Sequence, residues 1–165
     1  MHPTELETNQ LLNDCLVQHT RRKGPGGQHR NKVETAVVLK HVPSGIVAEA
    51  NEKRSQADNK TVAIHRLRHL LAIKIRQDRN PVLGKRLKNR IQHGKISINS
   101  KHEDFPKVLA EILDRLHVAE YELPFVAEQI GVSSSQVLKF LKIYPPAFEE
   151  FNSQRQTRGL PRIKY

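Results

Sequence analysis

The sequence predicts an α+β fold, a small mixed β-sheet with one long packed helix, followed by an all-α domain of helix-turn-helix type. Three observations carry this. Short β-prone runs at 14–20, 36–41 and 46–50 are separated by turn-forming residues. One long run with apolar residues at three-to-four spacing follows them. Beyond residue 104 the β-prone runs stop and helical periodicity alone remains, the mark of a second layer of structure.

Taken in order, 8–13 reads as a short helical turn with Thr8 as its cap, feeding a strand over 14–20. Residues 36–41 are rich in Val and Leu and read as a strand; Pro43-Ser44-Gly45 is a turn, and 46–50 is the partner strand of a hairpin. Ser55 to Asn59 supply capping residues for a helix to about Arg76, whose Val62, Ile64, Leu67, Leu70, Leu71, Ile73 and Ile75 recur at helical spacing. A basic connector holding Pro81, Gly84 and Gly94 comes next.

The helix expected at 105–117 has Asp104 as cap, Pro106 at its first position, and Val108, Leu109, Ile112, Leu113 and Leu116 on one face. Helices at 122–130 and 133–143 flank Gly131, with Ala127, Val132, Val137 and Phe140 between them, and Pro145-Pro146 stops the second. Ser133-Ser134-Ser135-Gln136 suits phosphate or base edges; the same pattern also suits a compact helical hairpin that binds protein or nothing. The tail from Asn152 carries Arg155, Arg158, Arg162 and Lys164 without an acid, and is expected to order only on RNA or not at all. The boundaries expected are a first domain at 1–78, a basic linker at 79–104, a helical domain at 105–150 and a basic tail at 151–165.

Charge separates the halves. Residues 1–94 carry 18 Lys and Arg against 8 Asp and Glu, whereas 95–165 carry 10 against 9. A basic half of this kind binds nucleic acid through phosphate contacts and counterion release. With 5% aromatic residues and no Trp, stacking on bases is not the main mode expected. The single cysteine, Cys15, excludes an internal disulfide and a thiolate zinc site, fits a reducing compartment and reads as buried filler. No apolar stretch reaches membrane-spanning length, and the first twenty residues hold Glu5, Glu7 and Asp14 but no Lys or Arg. A cytoplasmic protein, without a membrane partner, is expected. No heptad seam is present, which leads to the expectation of a monomer.

The most informative run is Arg21-Arg22-Lys23-Gly24-Pro25-Gly26-Gly27-Gln28-His29-Arg30-Asn31-Lys32. Three glycines around a proline allow close approach of backbone to a ligand, and five cations aim that backbone at phosphate. Neither a Gly-x-Ser-x-Gly elbow nor a metal motif is present. His65 and His69, four apart on the long helix, read as surface residues of a basic face, since Arg66 and Arg68 beside them oppose a cation. No metal and no cofactor are expected.

The run is followed by Asn31-Lys32-Val33-Glu34-Thr35-Ala36-Val37, by His41-Val42-Pro43-Ser44-Gly45-Ile46-Val47 and by Arg54-Ser55-Gln56-Ala57-Asp58-Asn59-Lys60. This ordered set, over roughly residues 12–76, resembles the catalytic domain of class I peptide chain release factors and of the release-factor-like ribosome rescue hydrolases. The resemblance implies catalytic roles for Gly26, Gly27 and Gln28, with the Gln28 backbone N–H contributing to catalysis and its side chain admitting water while excluding bulkier nucleophiles. It implies RNA contacts for Arg21, Arg22, Lys23, His29, Arg30, Asn31 and Lys32, and for a second basic element made of Arg54, Ser55, Gln56, Asn59 and Lys60. Charge alone adds Lys85, Arg86, Lys88 and Arg90 to the RNA-binding set.

Lys23 stands where the family commonly has Ser and Arg30 where it often has Val; both add charge. About twenty residues precede the loop, which leads to the expectation that no stop-codon-reading domain lies there. The function expected is therefore codon-independent hydrolysis of peptidyl-tRNA on the ribosome, with ribosomal RNA and the P-site peptidyl-tRNA as partners. The main rival is a non-catalytic ribosome- or RNA-binding factor. A third reading, a DNA-binding regulator led by residues 122–143, meets a half of almost neutral charge.

Overall fold

The structure, a computed structural model, describes residues 1–21, 35–78 and 82–164. The fold is α+β, and the chain divides into two compact units, Met1–Leu71 and Ala72–Tyr165. Among the described residues no helix is long and apolar enough to cross a membrane.

The first unit opens with helix α1 (Thr8–Asn13), whose N-cap is Glu7 rather than Thr8: the Glu7 N–H donates to Gln10 Oε1 at 3.3 Å. Strands β1 (Cys15–Thr20), β2 (Ala36–His41) and β3 (Val47–Ala50) form one sheet in the order β1-β2-β3. Both pairings are antiparallel, where a mixed sheet was expected; the short turn 42–46 leaves room only for a hairpin between β2 and β3. The pleat sends Val37, Leu39 and His41 of β2 and Ala48 and Ala50 of β3 to the buried side. Helix α2 (Gln56–Lys74) starts six residues before the first apolar position of the predicted stripe. Its buried residues within this unit, Asn59, Ala63, Leu67, His69 and Leu71, include a row at four-residue spacing. Arg68 ties the helix to the N-terminal segment by donating to the carbonyls of Thr4 at 2.7 Å and Leu6 at 2.8 Å.

The second unit is built on helix α4 (Phe105–Val118), in which every residue from Phe105 to Leu116 except Lys107 is buried. Around it stand α3 (Lys85–Arg90), the two-stranded hairpin β4 (Ile91–Gln92) and β5 (Lys95–Ile96), α5 (Leu123–Ile130), α6 (Ser134–Lys142) and α7 (Pro145–Thr157). The stretch 79–104, read from sequence as a linker, thus contains a helix and a hairpin: Leu87 is fully buried, and Ile91, Ile96 and Ile98 pack on the same core. Gly131 takes the left-handed conformation between α5 and α6, and Ser133 Oγ accepts from the Gln136 N–H at 3.3 Å, as a cap should. Ala127, Val137 and Phe140 are buried there and Val132 packs on the same core.

Pro145-Pro146 ends one helix and opens another, because a proline in the first turn surrenders no intrahelical bond. α7 buries Phe148 and Phe151, and the chain after it folds back: Asn152 Nδ2 donates to the Ile163 carbonyl at 3.0 Å and the Ile163 N–H returns to Asn152 Oδ1 at 2.8 Å. The expectation of a tail ordered only on RNA is corrected for these residues. Arg155 binds the Tyr121 and Pro161 carbonyls, Arg158 pairs with Glu120 at 2.7 Å, and Arg162 pairs with Glu149.

Pro106 occupies the second position of α4 rather than the first, and Asp104 makes no capping bond to it. The Asp104 carboxylate instead accepts from Arg90 Nη2 at 3.1 Å and lies near Arg86 at 3.5 Å and Lys107 at 3.6 Å. Burial alone would raise the Asp104 carboxyl; the Arg90 bond and the charges of Lys107, His102 and Arg90 hold it below its usual value.

At the N-terminal end of α3, the buried Glu111 accepts from Arg115 Nη2 at 2.9 Å and from the Gly84 N–H at 2.9 Å, while Arg115 also donates to the Val82 carbonyl at 2.9 Å. A Cβ added at Gly84 would meet Glu111 Oε2 at 2.5 Å, and Arg115 holds that carboxylate in place. Gly84→Ala is therefore expected to destabilise the second unit by about 1–3 kcal/mol, the usual cost of forcing volume into a packed site. Chemical denaturation of the two proteins checks it, and an unchanged midpoint would mean that the Glu111 carboxylate moves aside freely.

Candidate RNA-facing site

The residues expected to do chemistry lie in a segment whose two ends the sheet holds side by side. β1 ends at Thr20 and β2 begins at Ala36, and these two residues face each other as the last pair of a six-residue antiparallel ladder. Everything from 21 to 35 leaves and returns at that one end of the sheet. Arg22, Lys23, Gly26, Gly27, Gln28, His29, Arg30, Asn31 and Lys32 lie outside the described residues. Arg21, at the departing end, is exposed; Thr35, at the returning end, is half-buried.

Asn59 fastens the returning end. Its side chain is fully buried, and Nδ2 donates to the Thr35 carbonyl at 2.6 Å and to the Lys53 carbonyl at 3.0 Å. Its Oδ1 accepts from the Lys53 N–H at 2.9 Å. One side chain thereby joins the residue that resumes β2, the turn after β3 and the first turn of α2. A buried amide that spends both donors and an acceptor on backbone is a structural bracket, and it has no surface to offer to RNA. The expected RNA contact at Asn59 is corrected on that ground. The signal was in the sequence: Asn59 stands four residues before Ala63 and eight before Leu67, at the head of the buried row.

Its neighbours divide between scaffold and surface. Ser55 caps α2, with Oγ accepting from the Asp58 N–H at 3.3 Å, yet remains exposed. Arg54 and Gln56 are exposed and Lys60 is half-buried, so the second basic element presents Arg54, Gln56 and Lys60 to solvent around the bracket. Arg66 donates to the Glu49 carbonyl at 2.7 Å and pairs with Glu52, whose carboxyl that bond lowers.

Among the described residues of this unit, His41, His69 and Cys15 each contact a group of the fold. His69, expected at the surface, is buried, and its Nδ1 lies 2.8 Å from the His65 carbonyl; the two rings are 4.3 Å apart. Burial, and then the His69 charge, lower the pKa of His65. His41 is buried with Nδ1 2.7 Å from Ser44 Oγ, and burial lowers its pKa although Asp14 opposes the shift. Cys15 is half-buried rather than core filler; Sγ donates to the Leu11 carbonyl at 3.1 Å, and burial followed by Asp14 pushes the thiol upward, away from the nucleophilic thiolate. Among the described residues, no group of three or more His, Cys, Asp and Glu is placed to hold a metal ion.

In the second unit, Lys85, Arg86 and Lys88 are exposed, whereas Arg90 is half-buried and bound to Asp104, with its Nη2 also 2.9 Å from His102 Nε2. Of the four cations assigned there from sequence, Arg90 thus serves the fold.

Residues 5–108 match the family model of the RF-1 domain. The mitochondrial peptide chain release factor 1 of Bos taurus is 42% identical over 67 residues, covering 41% of this chain and 15% of that protein. Peptide chain release factor 1 of Carboxydothermus hydrogenoformans is 36% identical over 103 residues, 62% of this chain and 29% of that protein. The chloroplastic peptide chain release factor PrfB1 of Arabidopsis thaliana is 47% identical over 60 residues, 36% of this chain and 13% of that protein. The chain thus spans less than a third of the length of each of these relatives.

Proposed function

The chain belongs to the RF-1 domain family, and on that premise we propose that it hydrolyses the ester between a peptide and tRNA on the ribosome. The observation that carries the reading is Gly26-Gly27-Gln28 within a basic run inside the matched region. The ester of an aminoacyl group with the terminal ribose is activated, so what a protein must supply is a positioned water and a donor for the charge that develops on oxygen. Water attacks the carbonyl carbon, the bond to the ribose oxygen breaks, and that oxygen leaves with a proton.

The Gln28 backbone N–H is the donor in this reading, Gly26 and Gly27 let it approach, and the Gln28 side chain selects water. Arg21, Arg22, Lys23, His29, Arg30, Asn31 and Lys32 hold phosphates of tRNA and ribosomal RNA, and Arg54, Gln56 and Lys60 extend that contact. The cytoplasm is the expected site in this reading, while the relatives' names include mitochondrial and chloroplastic proteins.

Codon-independent action is the form of the reaction we propose. Release of labelled peptide is to be compared on ribosomes holding a stop codon, a sense codon or a vacant decoding site. Release without a requirement for the stop codon supports the proposal. Release confined to stop-codon complexes contradicts codon independence, and binding without release on all three leaves the rival, a non-catalytic RNA-binding factor, in its place.

A further inference from the structure

Residues 84–101 hold six cations, Lys85, Arg86, Lys88, Arg90, Lys95 and Lys101, and no carboxylate. The fold sorts them. Leu87, Ile91 and Ile96 turn to the core, and with them go Arg90 and, in part, Arg86, both drawn to Asp104. Lys85, Lys88 and Asn89 fall on the opposite side of α3 at three- and four-residue spacing, and all are exposed. In the hairpin, Ile91 faces Ile96 while Gln92 faces Lys95, so the pleat that buries the first pair sends the second to solvent. His93 and Gly94, both at positive φ, form the tight turn, with His93 exposed at its tip.

The exposed side of this module is thus a set of donors, Lys85, Lys88, Asn89, Gln92, His93 and Lys95. Among the described residues no ion pair engages its three lysines, in a unit where Lys74, Arg76, Arg115, Arg158 and Arg162 are each paired with an acid. The module is also held at two points: Glu111 and Arg115 bind Gly84 and Val82 before α3, and Asp104 binds Arg90 at the end of α3. Fixed cations and amide donors without a carboxylate suit a line of phosphates, which accept and never donate.

We propose that α3 and the β4–β5 hairpin form a second RNA-binding face, in which Lys85, Lys88 and Lys95 neutralise backbone phosphates of structured RNA. The face belongs to the second unit and the loop of the proposed reaction to the first, and the test does not depend on hydrolysis.

The test uses the full chain and a fluorescent RNA hairpin, with Kd measured by anisotropy over a range of potassium chloride concentrations. Replacing Lys85, Lys88 and Lys95 together by Gln is expected to reduce the slope of log affinity against log salt by about 2–3, near one for each phosphate no longer neutralised. The charge-matched control replaces Lys101, Lys139 and Lys164, also exposed in this unit, by Gln and is expected to keep the slope within about one of the unmodified protein. Thermal melts show that both variants fold. Equal slopes in the test variant and the unmodified protein overturn the proposal, as does a control that flattens as much as the test variant. Tighter binding to polyglutamate than to the RNA hairpin overturns the choice of RNA as partner.

Discussion

Gly27→Ala is expected to slow peptide release from ribosomes by about 10²–10³-fold, the range seen when an enzyme loses one donor to a developing oxyanion. Gln28→Ala is expected to keep much of the reaction with water and to lose discrimination against bulkier nucleophiles such as hydroxylamine. The difference follows from the chemistry assigned to the two residues. In this reading the donor is the Gln28 backbone N–H, which survives truncation of the Gln28 side chain. A methyl group at residue 27 restricts the backbone and obstructs its approach to the ester. Single-turnover release on preformed ribosome complexes, with water and with hydroxylamine, measures both. Equal and mild effects of the two substitutions would sink the backbone-donor argument.

Asn59→Ala is expected to destabilise the first unit. It strips the Thr35 and Lys53 carbonyls and the Lys53 N–H of their buried partner. Lys53 is exposed and Thr35 half-buried, so water takes up part of the loss and a total of about 1–3 kcal/mol is expected. Asn59→Asp has almost the same shape, yet sets a carboxylate oxygen against two carbonyls, so it is expected to destabilise as much. Arg54→Gln and Gln56→Ala, at exposed positions, are expected to stay within about 0.5 kcal/mol of the unmodified protein. Equilibrium denaturation followed by circular dichroism separates these cases. An Asn59→Ala protein as stable as the original would show that Thr35 is held by something other than this bracket.

Strands and helices were legible wherever apolar residues alternate with a clear period. Val37, Leu39, Ala48 and Ala50 reveal the buried face of β2 and β3, and Val108, Leu109, Ile112, Leu113 and Leu116 that of α4. What the sequence hid were polar residues that work inward. Asn59 stands in a run of polar residues that resembles an RNA-binding element and reads as a capping residue, and its hydrogen bonds show that it brackets three backbone segments. Arg90, Arg155 and Arg158 look like free charge when counted, yet each is committed to an acceptor distant in sequence.

The stretch 79–104 reads as a linker from Pro81, Gly84, Gly94 and the basic cluster Lys85-Arg86-Leu87-Lys88-Asn89-Arg90. Leu87, Ile91, Ile96 and Ile98 nevertheless suffice to seat a short helix and a hairpin on a large neighbouring core. The Gly-Gly-Gln run is the opposite case, since the chemistry proposed for it rests on residue identity and order alone.

The central claim, that this chain is an ester hydrolase acting on the ribosome, is tested most directly by single-turnover release of labelled peptide with the full chain in excess. The substrates are the ribosome-bound peptidyl-tRNA and the same peptidyl-tRNA free in solution. The account predicts rapid release from the ribosome complex, little from free peptidyl-tRNA, and loss of release with Gly27→Ala while binding to the ribosome persists. Saturating, salt-sensitive binding to ribosomes without release of peptide would contradict it.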